Sequence, residues 1–166
     1  ALGKQVMAPH LTVHEDPYVP RATGSSPYDE EGVRGQVRDV VEGGRLTGYF
    51  LSSYSARKLG MKTTGNAGGS YNLELRSQLT RPGDDFEAML ARLGTGLLVT
   101  ELIGQGVNYV TGDYSRGATG FWVEGGKIAF PVEEITIAGS LPRMLQDIAA
   151  VGADRVVRGS KIAGSV

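Results

Sequence analysis

The chain has 166 residues, enough for one domain with a core of its own. Its 17 basic and 18 acidic residues leave a net charge of −1 and a pI near 6.2, which argues against direct contact with nucleic acid. It has no cysteine, which excludes disulfides, thiolate zinc sites, iron–sulfur clusters and a cysteine nucleophile, and no apolar run nears the ~18 residues of a membrane helix.

Glycine, at 25 residues, is about double its usual ~7% share, so tight turns and closely packed strands are expected rather than a helical bundle. The chain opens Ala1-Leu2-Gly3-Lys4 without an initiator Met and reads as part of a longer protein. Leu11-Thr12-Val13-His14-Glu15 alternates as a half-buried strand. Residues 16–32, with Pro17, Pro20, Pro27 and Asp29-Glu30-Glu31, form a long polar loop, the acidic triplet solvated. Val33 to Leu51 reads as a hairpin turning at Gly43-Gly44, and Ser52 to Leu59 as a short helix capped by serine. A glycine-rich loop over 62–69 leads to a strand at Tyr71–Arg76.

Asp84 to Leu93 is the clearest helix, with Phe86, Met89, Leu90 and Leu93 on one stripe, an Asp at its start and Gly94 at its end. Leu97–Ile103 is a strand, Gly104–Gly120 a second glycine-rich stretch, and Phe121–Phe130 a second hairpin, turning at Gly125-Gly126. A strand at Glu134–Ala138, a helix from Pro142 to Val151 and short strands at 156–157 and 161–166 complete the chain. The blocks Val41-Glu42-Gly43-Gly44-Arg45-Leu46 and Val123-Glu124-Gly125-Gly126-Lys127-Ile128 echo each other. Each is preceded by Arg-Gly at equal spacing and, earlier, by a Leu-x-Val-x-Glu strand, as a duplicated strand–loop–hairpin–helix unit would be.

Most motifs reduce to structure. His10 and His14 lie on an expected strand, where four residues separate Cα atoms by ~13 Å, too far to converge on one ion. Ser55-Ala56-Arg57-Lys58 matches Ser-x-x-Lys but lacks that chemistry's companion motifs, and no Gly-x-Ser-x-Gly occurs. Asp84-Asp85 and Glu133-Glu134 read as a helix cap and a strand edge. The distinctive stretch holds Gly104, Gly106, Gly112, Asp113, Tyr114, Ser115 and Arg116. It is neither a P-loop nor a dinucleotide fingerprint. It offers backbone amides beside a carboxylate, a hydroxyl and a guanidinium, so an extended peptide could pair with it while Arg116 meets a carboxylate or carbonyl.

Several runs resemble the C-terminal half of the PmbA (TldE) proteins of the TldD/PmbA metalloprotease family. They include Ser26-Pro27-Tyr28-Asp29-Glu30-Glu31-Gly32-Val33, Leu51–Gly60, Thr64-Gly65-Asn66-Ala67-Gly68-Gly69 and Gly94–Asn108, with Thr111-Gly112-Asp113-Tyr114-Ser115-Arg116-Gly117-Ala118-Thr119-Gly120-Phe121-Trp122-Val123-Glu124 the most specific. The resemblance covers nearly the whole chain. It implies a bacterial cytoplasmic assembly that processes unfolded or small peptides, such as antibiotic precursors and an antitoxin. An older label for the family is modulator of DNA gyrase. It also implies zinc in a catalytic TldD subunit, held by a His-Glu-x-x-x-His helix in an N-terminal domain and by a Cys-Gly near the chain end. This chain has no such helix, and Ala163-Gly164 stands where the catalytic subunit has Cys-Gly.

The expectation is therefore that residues 1–166 are the C-terminal domain of a PmbA/TldE-like protein, its N-terminal domain absent from this chain. It would be α+β, mainly antiparallel, a curved sheet approaching a barrel with two or three short helices. It would hold no cofactor, bind unfolded peptide through the Gly104–Arg116 residues, and partner a TldD-like subunit or a second copy, with no direct nucleic-acid or membrane contact. Two alternatives stay open: a metallopeptidase active as a homodimer, and a regulator of DNA gyrase or its inhibitor.

Overall fold

The alternation at Leu11–Asp16 builds β1, a central strand of the larger sheet in the computed structural model, which describes residues 1–166. It is followed by β2 (Arg38–Glu42), β3 (Arg45–Leu46), α1 (Ser53–Lys58), β4 (Asn72–Ser77), α2 (Phe86–Leu93), β5 (Gly96–Ile103), β6 (Asp113–Glu124), β7 (Lys127–Ser140), α3 (Leu141–Gln146), β8 (Val156–Arg158) and β9 (Lys161–Ala163). Six strands form one sheet in the order β3-β2-β1-β4-β9-β8, and β5-β6-β7 form a second. All pairings are antiparallel except β4 with β9, where Leu73 lies opposite Lys161. The class is α+β with mainly antiparallel sheets, and neither sheet closes into a barrel.

Curvature has a local cause. The second sheet carries bulges where Thr100 and Ala129 lack a partner and where Glu133 and Glu134 together oppose Thr119. Glu134 sits at φ 55° in that last bulge. Extra residues on one strand bend and twist a ladder, and bulges on β5 and β7 bend both edge strands. Glu133 and Glu134 are thus part of an edge-strand bulge.

The echoed blocks take the same form. Strands β1-β2-β3 and β5-β6-β7 are both antiparallel meanders. Gly43-Gly44 turns at φ 55° and 73°, and Gly125-Gly126 at 55° and 76°. Two consecutive positive φ values match the right-handed strand twist and need glycine to avoid a Cβ clash.

Four segments differ from expectation. The second arm of the first hairpin stops at Leu46 instead of reaching Leu51. Strand β6 begins at Asp113, so half of the glycine-rich stretch is strand. The separate strand at 134–138 is the far end of β7, which runs through its bulges from Lys127. Helix α3 ends at Gln146, and the chain beyond it lays Ile148 and Val151 on the core.

That core gathers Met7, Ala8, Leu11, Val41 and Val151, with Val13, Leu75, Leu145 and Ile148 around them. Only 24 residues are buried, and few of these belong to the second sheet, which stands largely outside this core. On α2, capped as expected by Asp85, Leu90 alone of the apolar stripe is buried, while Phe86 and Leu93 stay exposed. Helix α2 steadies one end of the second sheet, where Gly126 N–H donates to the Gly94 carbonyl. The other end is tied down at α3, where Leu141 N–H donates to the Gly112 carbonyl.

Candidate functional site

Between β5 and β6 the chain makes a flap. Residues 104–112 fold back along the first residues of β6. Ser115 N–H donates to the Gly106 carbonyl at 2.7 Å, and Asn108 N–H donates to the Asp113 carbonyl at 2.9 Å. The Asn108 side chain accepts from the N–H groups of Val110 and Thr111, which shapes the tip. That tip is bare: Tyr109 is 93% and Val110 94% exposed.

An open groove of about 760 Å³ runs along the flap, lined by residues 104–109 and 113–116. Six of the seven residues singled out in the sequence line it: Gly104, Gly106, Asp113, Tyr114, Ser115 and Arg116. Gly112 lines a neighbouring groove with Leu141, Pro142 and Leu145, and Val107, Asn108 and Tyr109 form the wall between the two. Gly106 is required by space: a Cβ there would lie 1.5 Å from the Ser115 carbonyl oxygen. Asp113 accepts from the Thr111 hydroxyl at 2.6 Å. Arg116 donates one guanidinium hydrogen bond to the Leu102 carbonyl at 3.1 Å, while its Nε is buried without a partner.

One expectation needs correction. The backbone of residues 113–116 is not free to take a peptide strand, because it pairs with the flap on one side and with Ile137–Ser140 of β7 on the other. The N–H groups of Gln105 and Val107, on the flap itself, donate to no backbone carbonyl.

The histidines are occupied structurally. His10 Nε2–H donates to the Ile148 carbonyl, leaving Nδ1 to accept from the Ser77 hydroxyl, both at 2.8 Å. His14 Nδ1 meets Asp39 at 2.6 Å. No three His, Asp or Glu side chains converge on a point that would suit a metal, so the residues present do not fit a zinc site. In α1, Ser52 caps the helix, Ser55 is hydrogen-bonded to it, and Lys58 lies over the Tyr54 ring.

A buried polar cluster escaped the sequence reading. Glu15, whose side chain is 1% exposed, accepts from Arg38 Nε at 2.9 Å, Asn66 Nδ2 at 2.8 Å and Tyr71 N–H at 3.0 Å. Arg38 also donates to Asn66, and the Tyr71 hydroxyl donates to the Gly65 carbonyl. Burial, then the negative charges of Asp29 and Glu15, push the Tyr71 hydroxyl above its ordinary pKa. The signal was present: strand alternation puts Glu15 on the same face as Leu11 and Val13.

Asp29, expected to be solvated, is buried and accepts from the N–H groups of Glu31, Val33 and Ala67, each at 2.9 Å. Burial alone would raise its pKa, but the three backbone donors outweigh it and hold the carboxyl below its ordinary 3.8. A depressed folded pKa gives stability that is present above the unfolded value and lost as pH falls through the folded one. The advantage of wild type over Asp29→Asn is therefore expected to be whole above pH 3.8 and to fade below it. Urea titrations of both proteins across that range check this, and a gap that widens on acidification would contradict it.

The whole chain, residues 1–166, matches the PmbA/TldA metallopeptidase C-terminal domain. It is 52% identical over 166 residues to metalloprotease PmbA of Escherichia coli O157:H7, covering all of this chain and 36% of that protein. It is 27% identical over 157 residues to a metalloprotease TldD homologue of Haemophilus influenzae, covering 90% of this chain and 33% of the other. A crystal structure from Thermotoga maritima, described as a modulator of a DNA gyrase, superposes with a TM-score of 0.86 at 39% identity, covering 99% of this chain and 39% of that one. The chain thus spans about a third of the length of the curated relatives it matches.

Proposed function

Because this chain belongs to the PmbA/TldD metallopeptidase family, as its C-terminal domain, we propose that it acts in a cytoplasmic zinc metalloprotease as a non-catalytic domain that engages unfolded or small peptides beside a TldD-like catalytic subunit. Antibiotic-peptide precursors and an antitoxin are the substrate types the family resemblance suggests. The observation that carries the reading is the flap groove, long, open and lined by backbone, a carboxylate, a hydroxyl and a guanidinium. An extended peptide would pair with the outer edge of the flap at Gln105 and Val107, whose N–H groups are uncommitted, and Arg116 would orient it through a carbonyl or carboxylate. Ala163, which stands where the family resemblance puts the catalytic subunit's cysteine, supports the non-catalytic assignment.

The test is zinc-dependent cleavage of an unstructured peptide by the full-length protein, alone and with a TldD-type subunit. Cleavage is expected only with the partner; chelator-sensitive cleavage by the protein alone would overturn the reading. In the complex, Arg116→Ala should slow processing by roughly tenfold, the worth of a charged hydrogen bond, without unfolding the domain. Undiminished processing would remove Arg116 from the site.

A further inference from the structure

Three arginines from separate segments surround a second groove of about 380 Å³: Arg76 at the end of β4, Arg81 in the turn before α2, and Arg155 before β8. Glu74 is the single acidic residue in its lining, and it is shared. One oxygen takes Arg76 at 2.6 Å and the other takes Arg155 at 2.5 Å. Arg81 has no ion-pair partner. The lining therefore carries a surplus of positive charge in a chain whose overall balance is slightly negative. Leu75, Pro82 and Val151 supply an apolar floor.

The chemistry selects the ligand. Guanidinium is planar, weakly hydrated and matched to the two oxygens of a carboxylate. Arg76 and Arg155 keep half or more of their side-chain surface in water, at 50% and 60%, so their heads remain within reach of a second acid. A cleft with a surplus of one sign also concentrates its field, which raises the local concentration of the opposite charge. Glu74, only 15% exposed, holds two of the three forks in place instead of letting them disperse.

We propose that this groove binds carboxylates of an acidic peptide segment, with Arg81 and Arg155 receiving the acid and Glu74 setting the position of Arg155. This rests on the peptide-engaging reading above and adds a preference for acidic substrates. The groove is built from different residues from those of the flap, so the two can be separated experimentally.

The experiment is fluorescence anisotropy with the full-length protein in its complex. The probes are labelled hexaglutamate with an amidated end, hexaglutamine with a free carboxyl end, and amidated hexaglutamine. The amidated hexaglutamate should bind more tightly than the amidated hexaglutamine, and the double variant Arg81→Gln/Arg155→Gln should weaken it by roughly tenfold or more. Glu74→Gln keeps an amide oxygen to hold one fork while removing the negative charge that competes for Arg76 and Arg155, so it should tighten binding, a gain that misfolding cannot imitate. If free-ended hexaglutamine instead shows the arginine-dependent tightening, the groove takes a chain-end carboxylate and the preference for acidic segments is overturned. Equal binding of all three probes, insensitive to these variants, would overturn the site while leaving the flap reading intact. Loss of all peptide binding on Arg116→Ala alone, with no effect at Arg81 and Arg155, would likewise remove this groove.

Discussion

Arg38→Met is expected to destabilise the protein by about 3–5 kcal/mol, the usual cost of leaving a buried charge without its partner. The Arg38 side chain is 16% exposed and that of Glu15 1%, so water cannot replace the lost guanidinium. Asn66 Nδ2 and Tyr71 N–H would remain as donors, but both are neutral. The loss should extend beyond one contact, because Arg38 also holds Asn66 by its side-chain oxygen and lies over the Phe50 ring. Adding Glu15→Gln should recover part of the stability by removing the stranded charge while keeping an acceptor for Asn66 and Tyr71. Urea unfolding of the full-length protein measures the cycle. If Arg38→Met proves nearly neutral, or Glu15→Gln worsens it, the cluster is not organised around that ion pair.

Gly106→Ala should have the largest effect on the groove itself. The new methyl would sit on the Ser115 carbonyl oxygen, which belongs to β6 and cannot swing away as a side-chain end could. The flap must lift, and the bonds from Ser115 N–H to Gly106 and from Asn108 N–H to Asp113 go with it. Overpacking of this kind costs about 1–3 kcal/mol, and here the strain can be relieved by opening a local element. The expected outcome is a modest fall in melting temperature, fast amide exchange at Asn108 and Ser115, and processing reduced more than by Arg116→Ala. Protected amides would show that the flap tolerates the methyl, and fast exchange with full processing would show that its closure does not matter.

The elements legible in the sequence were those specified by neighbours. Both Gly-Gly turns, the Asp85 cap and the strand at Leu11–Glu15 each depend on a few adjacent residues. What escaped was set by distance along the chain. Strand β7 continues through Pro131, where the expected hairpin had ended, and through a bulge at the positive-φ Glu134, where a separate strand had been expected to begin; an edge strand has a free side on which a missing N–H and a bulge are tolerated. The parallel pairing of β4 with β9 has no local signature.

The same contrast holds for the two grooves. The flap groove draws its lining from one short run on either side of a turn, so a stretch of sequence delivered most of it together. The arginine groove is assembled from β4, the turn before α2 and the segment after α3, and no spacing rule joins them. Asp29 was misread for a related reason: an acidic triplet resembles a solvated loop until Ala67, far along the chain, is known to donate to it.

The place of β9 bears on how the domain is made. It lies between β4 and β8, inside the larger sheet, and it is the final strand synthesised of the twelve elements. Until it arrives, β4 presents an unpaired backbone edge on the growing chain, and β8 has nothing to pair with. Contacts so far apart in sequence close slowly. A nascent chain therefore spends the interval with an open template for mispairing, which makes this step the one at which a chaperone, or a subunit already folded, would have the most to protect.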